Sequence, residues 1–77
     1  MSPDSAAQWM AEMVFARGRL PQSEAARHLM QYRDERLAYH NDEDQACVGR
    51  PVLRRFRRHY PALTYDRRLK SWRPAEH

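Results

Sequence analysis

The residues most able to do chemistry lie between positions 50 and 73. Arg50, Arg54, Arg55, Arg57 and Arg58 are followed by Arg67, Arg68, Lys70 and Arg73. At helical spacing, Val52, Phe56, Tyr60 and Leu53 share an arc of about 100°. Arg57, Arg54, Arg58 and Arg55 fill the opposite face, with His59 at its edge. No acid between 50 and 60 neutralises that row. Guanidinium is a planar five-donor fork that suits phosphate and carboxylate and also stacks on bases. The chemistry implied is capture of a polyanion: the helix in a groove, the basic segment behind it clamping phosphates. About six such contacts give a slope of log K against log salt near −5. The face carries no Asn or Gln to pair with adenine, so sequence specificity is poor or carried by shape.

The net charge of +4 conceals a segregation. Residues 1–49 carry five arginines against eight acids, a charge of −3, and residues 50–77 carry +7. Such asymmetry points the C-terminal part at an anionic partner, DNA or RNA. A competing reading lays the segment 34–44, with its five acids, across the Arg helix and cancels it. Other chemistries find little footing. Gly18 and Gly49 are the only glycines, so there is no phosphate-binding glycine loop. The single cysteine, Cys47, excludes an internal disulfide, a zinc finger and a CxxC site. His40, Cys47 and His59 match no metal-ligand spacing, and Asp42–Glu43–Asp44 lack the alternation and bidentate Glu of a calcium loop. Ser23 and Ser71 have no base at a recognisable spacing. The expectation is a non-enzymatic module with no catalytic residue, metal or cofactor.

The elements that must position these residues are few. Seventy-seven residues make one domain, 1–77, with a core over about 5–73 and a tail at 74–77. A chain this short buries only about 60–65% of its unfolded surface, so its core is thin. A hydrophobic share of 42% and a charged share of 31% fit a soluble globular domain. No run approaches a membrane span, and Met1–Asp4 lack the features of a signal peptide. A cytoplasmic protein without a membrane partner is expected.

Ala6, Trp9, Met10, Met13 and Val14 predict a helix over 4–17, capped by Ser2 or Asp4 and ended at Gly18. A second helix is expected over 21–33, with Pro21 in its first turn and Leu20 stapling its entry. A hairpin over 36–40 and 45–48 turns at Asn41–Asp44. A third helix spans about 50–60. Strands at 62–66 and 69–73 join at Asp66–Arg68, with Leu63 and Tyr65 on one face. Trp72 faces the core and either carries Lys70 with it or the strand is bulged. The fold class is α+β: three helices and short antiparallel hairpins in the order α-α-β-β-α-β-β, winged-helix-like.

Trp9–Met10, Gly18–Arg19–Leu20 with Gln22, Tyr39 with Asn41–Asp42, Val52–Leu53 with Phe56, Tyr65–Asp66–Arg67 and Trp72–Arg73 together resemble a family of small uncharacterised bacterial proteins, a domain of unknown function. The resemblance covers roughly residues 8–73 and brings no activity or site residue. It implies glycine in each hairpin turn, at about the positions where this chain has Asp44 and Arg68, so either residue takes positive φ at some cost or the turn is rebuilt. Two functions follow from the residues: nucleic-acid binding through Arg50, Arg54, Arg55, Arg57, Arg58, Arg67, Arg68, Lys70 and Arg73, or a protein-interaction adaptor or inhibitor, docking on a partner or acting as a small homodimer.

Overall fold

Ser2 starts the first helix, α1 (Pro3–Arg17): its hydroxyl accepts from the Ser5 amide while Ser5 Oγ accepts from the Ser2 amide, a reciprocal capping box. Gly18 ends it at φ 80°, its N–H donating to the Val14 carbonyl. In this computed structural model, which describes residues 1–75, Ala6, Met10 and Val14 are fully buried, and Trp9 and Met13 pack partly exposed against the same core. Ala7 and Ala11 are also buried, which lets α1 approach its neighbours closely.

The chain then makes β1 (Leu20–Pro21) before α2 (Gln22–Met30). This strand is absent from the expected order. Leu20 and Pro21 pair with Trp72 and Ser71 of the last strand, so Leu20 is a fully buried sheet residue rather than a helix staple. Pro21 stands outside the helix as its N-cap. Ala25, Ala26 and Leu29 bury the inner face of α2, which ends at Met30, three residues earlier than expected. Arg33 lies at φ 52°, a backbone turn that cannot continue a helix.

The first hairpin, β2 (Ala38–His40) and β3 (Ala46–Val48), is a two-stranded sheet packed on α2. Gly49 then leads into α3 (Arg50–His59). Its φ is an ordinary −63°, so space rather than conformation demands glycine: an added Cβ would lie 2.1 Å from the Arg36 carbonyl oxygen. Val52 and Phe56 seat α3 in the core against α1, with Leu53 and Tyr60 half-buried beside them, as the amphipathic pattern implies.

The terminal hairpin, β4 (Leu63–Asp66) and β5 (Ser71–Pro74), joins β1 in an antiparallel sheet of order β1-β5-β4. Trp72 is buried on the central strand, with Phe56 of α3 edge-on at a 6.0 Å centroid distance. It does not carry Lys70 inward: Lys70 is an exposed turn residue at φ 49°, outside the strand. Pro74 belongs to β5 and the Ala75 amide donates to the Ala62 carbonyl, so the expected tail is structured through 75; positions 76 and 77 lie outside the described residues. The architecture is α+β in the expected order, with β1 added.

Candidate functional site

Helix α3 carries no acid in its first turn and Arg57, Arg58 and His59 in its last. Cations there complement the helix dipole, so part of the arginine row favours the helix itself. Arg50 and Arg54 have no such local reason.

Arg50, Arg54, Arg57 and Arg58 are exposed along α3, and Arg67, Arg68 and Lys70 are exposed in the β4–β5 turn. Among the described residues, no carboxylate lies within ion-pair distance of these seven. The remaining two candidates are engaged. Arg55 Nε meets Asp4 Oδ1 at 2.7 Å, and Arg55 Nη1 donates to the Pro51 carbonyl. The acid that reaches the helix thus comes from the start of α1. Arg73 Nε donates to Asp66 Oδ2 at 3.1 Å, tying β5 to β4.

The acidic segment does not neutralise the Arg face. Asp34 accepts from Arg36 through both side chain and backbone, which holds its carboxyl below the usual range. Glu35, Asp42, Glu43 and Asp44 are exposed and form no ion pair with another described residue. Asn41 Oδ1 fixes that tip by accepting from the Glu43 and Gln45 amides, and Asp44 adopts φ 60°, the first of the two outcomes open to it. In the terminal turn, Asp66 Oδ1 accepts from the Arg68 and Leu69 amides. The bond from the Leu69 amide, then the Arg73 guanidinium, depress its pKa. Here the turn is rebuilt: positive φ falls on Lys70 and not on Arg68.

One feature escaped the sequence. Between α3, the first hairpin and the terminal sheet lies a groove of about 540 Å³ lined by Tyr39, Cys47, Leu53, Arg57, Tyr65 and Arg67. Tyr65 is set by its neighbours: its ring packs on Trp72 at 5.1 Å, and its hydroxyl donates to Gln22 Oε1 at 3.0 Å. It is nonetheless 37% exposed. Partial burial pushes its phenol pKa up, against the pull of nearby Arg67. Leu63 and Tyr65, which strand alternation puts on one face, both line the groove, Leu63 buried and Tyr65 open. No spacing rule brings Tyr39, Tyr65 and two arginines to one hollow. A neighbouring groove continues past Tyr65 and Arg67 to Arg27, His40 and Lys70.

Among the described residues there is no group of three or more His, Cys, Asp and Glu side chains placed to hold a metal, and no helix long and apolar enough to cross a membrane. Residues 2–74 match the family described as Family of unknown function (DUF6953), in agreement with the resemblance drawn from Trp9–Met10 through Trp72–Arg73. No curated protein and no solved structure matches.

Proposed function

We propose, for a chain that belongs to the Family of unknown function (DUF6953), nucleic-acid binding through the outer face of α3 and the β4–β5 turn. The observation that carries this reading is the row of seven exposed cations, Arg50, Arg54, Arg57, Arg58, Arg67, Arg68 and Lys70, with no carboxylate partner among the described residues. Such a surface releases counterions from a phosphate backbone and gains its affinity there. Arg55 and Arg73 act at one remove, holding α3 to α1 and β5 to β4.

Topology supports the same reading by analogy. We read the order α1, β1, α2, α3, β4, β5 with a β1-β5-β4 sheet as winged-helix-like, with β2–β3 as an insertion between the second and third helices. The insertion accounts for the long separation of α2 and α3, which a simple helix-turn-helix does not have. Fold analogy alone assigns no function. In that arrangement α3 takes the groove-facing position and the β4–β5 turn the flanking phosphates.

The test is retardation of a labelled random duplex at about 50 and about 200 mM salt. Wild type binds at the lower salt and weakens steeply at the higher; Arg54→Glu/Arg58→Glu, with an unchanged circular dichroism spectrum, binds at least about tenfold more weakly. Absence of retardation at the lower salt sinks the reading. The protein-interaction alternative draws on Tyr65 and Leu69, exposed in the terminal hairpin. A concentration-dependent dimer in sedimentation, without duplex binding, favours it.

A further inference from the structure

We infer that the groove between α3, the β2–β3 hairpin and the terminal sheet holds an unpaired nucleotide, with its base on Tyr65 and its phosphate between Arg57 and Arg67. This deepens the nucleic-acid reading, which it uses to name the ligand class. Two cations reach the groove from different elements, Arg57 from α3 and Arg67 from the β4–β5 turn, and no described carboxylate pairs with either. An anion entering there meets both charges without displacing a partner. Tyr65 supplies a fixed platform: Trp72 supports its ring, Gln22 holds its hydroxyl, and a substantial part of it is open. A ring already held in place loses little freedom when a base stacks on it. Tyr39 and Leu53 line the same hollow and give it an aromatic and apolar wall. The combination of a planar apolar seat with two cations beside it fits a base joined to a phosphate better than a phosphate alone. The size of the groove is within the range of small-molecule sites. A continuous strand leaving the seat has a path along the second groove, past Arg27 and Lys70.

Trp72 lies opposite Tyr65 across the β4–β5 pair, lines the same groove and reports occupancy once Trp9 is replaced, so the experiment uses the Trp9→Phe protein and follows emission during titration with AMP, inorganic phosphate and a single-stranded deoxyoligonucleotide. Saturable change is expected with AMP and the single strand, at concentrations where inorganic phosphate gives none. Tyr65→Leu is expected to weaken single-strand binding about tenfold, the worth of one stacked base, and Tyr65→Phe to retain it. Duplex retardation, which uses the outer face of α3, changes less than about threefold in Tyr65→Leu. Amide shifts of Tyr39, Cys47, Tyr65 and Arg67 on adding AMP to wild-type protein give a readout independent of any variant's folding. Unchanged Trp72 emission together with unmoved amides overturns the inference, as does an equal loss of single-strand and duplex binding in Tyr65→Leu. If duplex retardation fails while AMP still moves these amides, the groove-facing role of α3 falls and the nucleotide seat stands.

Discussion

The two β-hairpins are built alike and charged oppositely. In each, one side-chain oxygen holds the turn by accepting from two backbone amides: Asn41 from Glu43 and Gln45, Asp66 from Arg68 and Leu69. Each turn also puts a non-glycine residue at positive φ, Asp44 at 60° and Lys70 at 49°. Yet one tip reads Asp42–Glu43–Asp44 and the other Arg67–Arg68–Leu69–Lys70. The anchoring residue is neutral within the acidic tip and anionic within the basic one, so each anchor avoids adding like charge to its own turn. Turn geometry therefore does not dictate tip charge. Their settings differ as well: β2–β3 is a two-stranded flap on α2, whereas β4–β5 shares a sheet with β1 and touches α3 through Trp72 and Phe56. The basic tip thus sits on the better-anchored hairpin.

Reversing the tips separates their roles most sharply. Arg67→Glu/Arg68→Glu/Lys70→Glu is expected to weaken duplex binding at least about 100-fold at low salt and to flatten the salt slope by about 3. Asp42→Lys/Glu43→Lys/Asp44→Lys is expected to change affinity less than about threefold, because that tip lies outside the contact surface. Equal effects from both reversals reduce the basic tip to one part of a diffuse surface charge.

A large effect on stability is expected where the acidic hairpin meets α3. Gly49→Ala forces a methyl into the Arg36 carbonyl, a backbone atom with little room to move. Unfolding by urea is expected to show a loss of about 1–3 kcal/mol or more.

The anchors differ in what else they hold. Asn41→Ala removes an acceptor from two amides and is expected to cost about 1 kcal/mol. Asp66→Ala removes two amide contacts and also the Arg73 pair, so its melting temperature falls further, while Asp66→Asn keeps the amide acceptor and loses less. Only Asp66 of the two titrates. Its folded pKa is depressed, so its contribution is present above the unfolded carboxylate value and is lost as pH falls through the lower folded one. The Arg68 and Leu69 amide shifts are expected to report a midpoint below the ordinary carboxylate range; a midpoint at or above that range contradicts the assignment.

The smallest effects concern backbone conformation. Lys70→Gly and Asp44→Gly relieve positive φ and are each expected to stabilise by about 0.5–1 kcal/mol. Lys70→Gly also removes a phosphate contact, lowering the salt slope by about 1, while Asp44→Gly leaves it unchanged.

Much of this framework was legible where local chemistry decided it. The cap at Ser2, the stop at Gly18 and the amphipathic face of α3 all follow from residues close in sequence, while the strained turn at Asp44 was implied only by the family resemblance. What escaped was settled by distant partners. Leu20–Pro21 has too few residues to show alternation and is a strand only because β5 lies beside it. Asp4 finds Arg55 because α1 packs against α3. Lys70 rather than Arg68 takes the positive φ because the Asp66 carboxylate sets the intervening amides. Tyr65 shares a face with Leu63 as alternation implies, but no sequence spacing announces that Trp72 and Gln22 fix it at the rim of a groove.

The most direct test of the account is amide mapping during titration with a short DNA duplex at low salt. Shifts are expected to concentrate at 50–58 and 67–70, with residues 42–44 unmoved. Shifts centred on 42–44 or on α1, or none at saturating duplex, contradict it.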